Sequence, residues 1–324
     1  MTAARDENRR PRIAVLGVGG IGGYYGGLLA RAGHDVFALA RGDNLAALRE
    51  RGLVVRTPEE EWNSAVTASD DAGTLSKSFE AEDIALVTTK AYSLDGIAPA
   101  VRQFAERGAL VVPLLNGVQA ADRLIELGVP RSQVIGGVSY VSAARVEPGV
   151  FERRSTFQRV IVGELPKGIS PRAKKIATMF TDAGAEATAS EDITLALWQK
   201  FVFLASIAAA CGLTRLPIGP VRDTPLGARL IERLVREAVA VGRARGIALP
   251  RDEEARVLKQ INALPPASQP SLLLDLLAGS PTEVDVLSGA IARFAEEAKI
   301  ETPIHDAAAL ILRYPVPGTR NYAS

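Results

Sequence analysis

Apolar residues fall in short unbroken blocks through the first half of the chain and at helical spacing through the second. The first block, Ile13-Ala14-Val15-Leu16, runs straight into Gly17-Val18-Gly19-Gly20-Ile21-Gly22, and a helical run over 22–32 follows, stopped by Gly33. A second block at 35–40 completes a strand, helix, strand unit. Blocks without polar alternation belong to strands covered on both faces, as in a parallel sheet flanked by helices. The pattern returns at 84–89 and 109–115, after a helix through Ala46 and Leu48 and short strands at 53–55 and 65–67. Between 134 and 164 the chain reads as extended with a turn at Pro148-Gly149, which predicts antiparallel strands that close the sheet. After a helix over 171–183 the strand pattern stops, and helices are predicted over 193–210, 225–246, 252–263, 271–277, 284–299 and 303–314.

The glycine run has a chemical reason to sit where it does. Between a strand and a helix, the first glycine permits the tight turn, the second lets backbone approach a pyrophosphate, and the third lets helix pack on strand. The phosphates then meet free N–H groups at the helix N-terminus, which makes Gly17, Val18, Gly19, Gly20, Ile21 and Gly22 the candidate cofactor loop. An NAD enzyme places an acid at the end of the second strand to grip the ribose; here Ala40 ends that strand and Arg41 follows. Arginine there suits the 2′-phosphate of NADP, the alternative being a solvated loop residue. Lys90 and Asn116 close the next two apolar strands, and ligands of open parallel sheets bind outside the carboxyl ends of strands. The predicted fold class is therefore α/β: an N-terminal Rossmann-type dinucleotide-binding domain over 12–188, then an all-α C-terminal domain over 189–324. Residues 1–11 read as a polar, disordered tail, and the boundary between domains falls in 185–192.

Composition narrows the class. The 324 residues are 47% hydrophobic and 23% charged with a formal net charge of +1, the balance of a soluble globular protein and not of a nucleic-acid binder. One cysteine, Cys211, permits no internal disulfide and no metal cluster, which points to the cytoplasm. No signal-peptide pattern precedes Arg12, and the longest apolar run, 201–213, is too short to span a bilayer.

A nicotinamide-cofactor fold supplies a hydride, and the protein must supply substrate binding and a proton. Of the two histidines, His34 precedes its strand, at the wrong end of the sheet, and His305 lies near the C-terminus. Lysine becomes the leading donor. Lys200 stands on a helix between Trp198 and Phe201-Val202-Phe203-Leu204, where an ammonium must snorkel, pair or do chemistry, and desolvation would lower its pKa. Glu283 opens a helix, where a carboxylate can be a cap or a charge partner.

Leu197-Trp198-Gln199-Lys200, Thr282-Glu283-Val284-Asp285 with Gly289 after it, Asn116-Gly117, Thr89-Lys90-Ala91 and the glycine loop, in this order, resemble the ketopantoate reductase (2-dehydropantoate 2-reductase) family over about 12–314. The resemblance implies NADPH-dependent reduction of a 2-oxo acid to a 2-hydroxy acid, as in the pantothenate pathway, and a helical domain like that of 6-phosphogluconate dehydrogenase. It implies Lys200 as proton donor, Asn116 shared by cofactor and substrate, Glu283 at the nicotinamide side, Ser271 on the substrate carboxylate, Arg41 and Lys90 at the adenosine end, and Ala143 as a backbone contact to the cofactor. A homodimer is expected, with no nucleic-acid or membrane partner. Three positions depart from the family: where it carries asparagines for the substrate's polar groups, this chain has Leu204, Ala208 and Ile218. Two alternatives stand beside ketopantoate reduction, namely a more apolar 2-oxo acid or small carbonyl substrate, and a non-catalytic NADPH sensor.

Overall fold

The computed structural model describes residues 9–314, so most of the expected tail, 1–8, lies outside the described residues. Two compact units share the chain: one holds the residues up to Leu115 together with Ala120–Ile193, the other Asn116–Gln119 together with the chain from Thr194 on.

In the first unit β1 (Ile13–Leu16), α1 (Gly20–Arg31) and β2 (Val36–Leu39) form the expected opening, followed by α2 (Gly42–Arg51), β3 (Leu53–Arg56), β4 (Glu61–Ser64), β5 (Thr67–Ser69) and α3 (Ala72–Ser76). Then come β6 (Ile84–Val87), α4 (Leu94–Glu106), β7 (Leu110–Pro113) and α5 (Ala120–Glu126). Strands β5, β2, β1, β6 and β7 lie in that spatial order in one wholly parallel sheet, so the order reverses between β1 and β6. That crevice is where such a sheet binds its ligand. Every residue of β1, β6 and β7 is buried, which is why these strands read as unbroken apolar blocks.

The rest of the unit is β8 (Gly136–Tyr140), β9 (Ala143–Glu147), β10 (Val150–Arg153), β11 (Arg159–Gly163), α6 (Pro171–Asp182) and β12 (Glu186–Ala189). These strands do not close the parallel sheet, as the sequence predicts. They form two further sheets, β4-β3-β10-β9 and β12-β11-β8, in which β10 runs parallel to β3. Strand β12 also corrects the expectation that strand pattern ends at 183. With its residues half-open to solvent and pairing only with β11, it carries no apolar block to announce it.

The second unit is helical: α7 (Ile193–Thr214), α8 (Ile218–Arg222), α9 (Pro225–Ala244), α10 (Glu253–Asn262), α11 (Ser271–Leu277), α12 (Ser288–Ala298) and α13 (Pro303–Ile311). The helix predicted over 284–299 is interrupted. A 3-10 turn, Val284–Val286, precedes α12, and Leu287 between them has φ −109° and ψ −101°, outside the helical region. Helix α7 outruns the apolar stretch counted from the sequence: its 22 residues are long and apolar enough, by length and composition, to cross a bilayer. In this fold its Phe201, Val202, Ala205, Ala208 and Cys211 are core residues, packed with Leu234, Val239, Leu273 and Ile291 of the other helices.

Candidate active site

Each glycine of the loop after β1 does a separable job. Gly17 has φ +105°, and a Cβ there would stand 2.6 Å from the Thr89 backbone nitrogen, so β1 can turn beside the end of β6 only without a side chain. A Cβ on Gly20 would lie 2.1 Å from the carbonyl oxygen of Ala143, and one on Gly22 would lie 2.4 Å from that of Gly17. Gly19 differs: nothing stands within 4 Å of the position its Cβ would take. That open space lies at the N-terminus of α1, whose first N–H groups have no acceptor a turn earlier, and no side chain caps them. An open cradle and uncapped amides fit the diphosphate of a dinucleotide.

Thr88, Thr89 and Ala143 meet this loop, and Lys90 and Arg41 follow the ends of β6 and β2. Thr88 donates through Oγ1 to the Gly17 carbonyl at 2.7 Å, and Thr89 Oγ1 is buried without a hydrogen-bond partner. Ala143 meets the loop through its carbonyl against Gly20, within this unit. Lys90 is the residue that precedes the short 3-10 turn Ala91–Ser93 just beyond β6. Arg41, exposed, is the N-terminal cap residue of α2 just past β2, and no acid precedes it on that strand.

The second unit brings together three side chains that the sequence holds far apart. Lys200 Nζ donates to Asn116 Oδ1 at 3.2 Å, and Asn116 Nδ2 donates to Glu283 Oε2 at 3.0 Å. Both ends of the Asn116 amide are thus used in the only sense that pairs donor with acceptor. Local geometry explains the meeting. Gly117 at φ +89° lets the chain turn closely enough that a Cβ would sit 3.0 Å from the Val286 carbonyl. Arg293 then ties the segment down, donating to Gln119 Oε1 and to the Asp285 carbonyl, both at 3.1 Å. Glu283 is 5% exposed, so its charge acts in a poorly screened setting. Lys200 keeps some area open to solvent, yet its ammonium lies among protein atoms. Desolvation pulls its pKa down to about 8, opposed by the attraction of Glu283. Such an ammonium is charged at neutral pH and can part with its proton.

The other expected positions behave differently. Ser271 is exposed at the first position of α11. Along α7, Leu204 and Ala208 follow Lys200 at one-turn intervals, but Ala208 and Ile218 are each 1% exposed and belong to the helical core; of the three, Leu204 alone keeps accessible area. His305 is wholly buried, bonded to Ser288 Oγ and the Leu234 carbonyl, and burial pushes its pKa down to about 4. It is a neutral structural residue. Among the described residues no group of three His, Cys, Asp or Glu side chains could hold a metal.

Comparison with known proteins gives the family and the fold. A family model described as ketopantoate reductase PanE/ApbA matches residues 13–167, and one for the C-terminal part of the same family matches 192–314. The 2-dehydropantoate 2-reductase of Halobacterium salinarum is 31% identical over 90% of this chain and 95% of its own. That of Pyrococcus horikoshii is 28% identical over 91% and 94%. Among solved structures, a PanE/ApbA family ketopantoate reductase from Ralstonia eutropha superposes with a TM-score of 0.83 at 28% identity, covering 93% of this chain and 97% of that one. A D-mandelate dehydrogenase solved with NADH and anilino(oxo)acetate shares the fold, with a TM-score of 0.82 at 22% identity over 93% and 97%.

Proposed function

From the premise that the chain belongs to the ketopantoate reductase family, and so is an NAD(P)-dependent oxidoreductase, we propose that it uses NADPH to reduce a 2-oxo acid to the 2-hydroxy acid. The observation that carries the reading is the hydrogen-bonded series Lys200, Asn116, Glu283, with a lysine whose pKa is lowered to about 8. When bound, the dinucleotide supplies a hydride to the keto carbon. Lys200 holds the proton at Nζ for the forming alkoxide. Asn116 keeps that ammonium in place through Oδ1, and Glu283 holds the other end of the amide while its charge keeps Lys200 protonated at neutral pH. Gly17 to Gly22 receive the diphosphate on backbone amides, Ala143 makes a backbone contact to the cofactor, and Lys90 stands with Arg41 at its adenosine end. Arg41 pairs with the 2′-phosphate, and Ser271 holds the substrate carboxylate.

For the side chain of the substrate we favour a plain branched or aromatic group over the hydroxylated one of ketopantoate. Leu204 stands one turn beyond Lys200 and offers no hydrogen bond to a hydroxyl, and an unpaired hydroxyl loses about 1 kcal/mol or more on burial. Ketopantoate itself is the second reading, favoured by the named activity of the Halobacterium and Pyrococcus relatives. A cytoplasmic homodimer completes the proposal, the exposed Leu226, Leu310 and Ile311 of the helical unit being apolar surface for a second copy.

The test is kcat/KM over a panel of 2-oxo acids with NADPH and with NADH. We expect NADPH to be preferred by about tenfold or more, the scale of a charge-assisted bond from Arg41, and ketopantoate to be no better than 2-oxo acids with plain side chains. A preference for ketopantoate of about a hundredfold or more refutes the apolar substrate, because an apolar pocket has no partner with which to favour the hydroxylated acid. Tight cofactor binding with no turnover on any 2-oxo acid would leave the NADPH sensor in its place.

A further inference from the structure

Asn44 lies on the first turn of α2, three residues past Arg41, and is 6% exposed. A buried amide is costly unless its groups are bonded, and here both are. Nδ2 donates to the Val18 carbonyl at 3.2 Å, and Oδ1 accepts from the Gly149 N–H at 2.9 Å. One side chain thus joins the glycine loop, α2 and the turn between β9 and β10. The turn is closely seated, since a Cβ on Gly149 would stand 3.0 Å from Ala47 Cβ.

The bond to Val18 falls on one specific peptide. The Val18 carbonyl and the Gly19 N–H belong to the same planar unit and point in opposite directions. The carbonyl is held by Asn44, and the N–H donates to the Gly17 carbonyl at 2.8 Å. That peptide is pinned at both ends. The amides of Gly20, Ile21 and Gly22, which have no acceptor within α1, follow immediately, and their direction depends on the peptide that precedes them. We infer that Asn44 is a positioning residue for dinucleotide binding: by fixing the Val18–Gly19 peptide it aims the free amides of the loop at the diphosphate before the cofactor arrives. Donors fixed in advance lose less freedom on binding.

This inference rests on the reading of the glycine loop as a dinucleotide site, and wild-type protein titrated with NADPH tests that reading separately. Asn44→Asp is nearly isosteric. It keeps an acceptor for Gly149 and replaces the donor to Val18 with an oxygen that repels the carbonyl. In calorimetric titrations of the full chain, the dissociation constants for NADPH, NADH and ADP-ribose should each rise by about tenfold, the scale of one lost hydrogen bond plus an opposed buried pair. In Asn44→Ser, which brings no charge near Arg41, that for adenosine 2′-monophosphate, which has no diphosphate, should change by less than about twofold, and so should kcat at saturating cofactor. This variant removes both bonds, should show the same dinucleotide losses at smaller size and serves if the aspartate variant does not fold. Unchanged dinucleotide affinity would overturn the inference. So would an equal loss for adenosine 2′-monophosphate in Asn44→Ser, because Asn44 would then merely support α2.

Discussion

On the proposed reading, the glycine turn and the Lys200 group prepare for their ligands by opposite means. At the turn, the proposed recognition comes from backbone, and the sequence contributes by leaving side chains out: Gly17, Gly20 and Gly22 are glycine because neighbouring atoms already occupy the space of a Cβ. In the helical unit the working atoms are all on side chains, and the fold contributes by bringing Asn116, Lys200 and Glu283 into a hydrogen-bonded series. The first design holds a charge that the ligand brings. The second holds a charge of its own, and adjusts it through burial against an opposite charge. A dinucleotide diphosphate needs only fixed donors, whereas a proton donor must exist in two states, so only the second site needs a tuned group.

The largest expected effect breaks the helical half of that comparison and leaves the other half alone. Lys200→Ala should lower kcat by about 10² or more, the scale of general acid catalysis, with NADPH affinity nearly unchanged. Single-turnover rates beside a cofactor titration measure the two separately. A variant that keeps most of its turnover would place the proton donor elsewhere.

At the glycine turn the sharper experiment is a pair of substitutions. Gly19→Ala puts a methyl group into open space at φ −93°, a conformation alanine adopts readily, so the melting temperature should stay within a few degrees of wild type. The same methyl occupies the approach to the amides, and NADPH should bind roughly ten- to a hundredfold more weakly, on the scale of lost charge-assisted bonds. Gly20→Ala forces a methyl onto the Ala143 carbonyl, 2.1 Å from the ideal Cβ, and should destabilise by about 1–3 kcal/mol as overpacking does. Normal NADPH binding by the Gly19 variant would mean that the open space is not where the cofactor lies.

The same contrast explains what could be read from the chain before its structure. The glycine turn is local: spacing and the adjoining apolar blocks predict strand, turn and helix within twenty residues of β1. What holds the turn from outside is not local. Asn44 reaches Val18 across 26 positions and Thr88 reaches Gly17 across 71, and neither residue type is unusual where it stands. Asn116 lies 84 positions from Lys200 and 167 from Glu283, so no periodicity links them, and only the family resemblance put them on one list. Strands β4 and β12 escaped for a different reason, as both carry polar, half-open residues where a buried strand would carry an apolar block. Helix α4 is amphipathic but contains Pro99, which argues against helix when read locally.

The smallest effect separates the tuned charge from the hydrogen bond that carries it. Glu283→Gln keeps an oxygen for Asn116 Nδ2 and removes the charge, so Asn116 and Lys200 should stay where they are. Desolvation then acts on Lys200 without the attraction that opposes it, and its pKa must fall below the wild-type value of about 8. The sign follows from the role. A general acid works while protonated, so kcat/KM at saturating NADPH is full below the lysine pKa and lost as pH rises through it. The wild-type profile should bend down near pH 8, and the variant should bend at lower pH while matching wild type in mildly acidic buffer. Well above pH 8 the variant should be slower by about tenfold for each unit that the bend moves. A bend that stays near pH 8 would show that the Glu283 charge does not set the lysine. A loss equal at every pH would show that the carboxylate acts on the substrate or cofactor directly, not through the proton on Lys200.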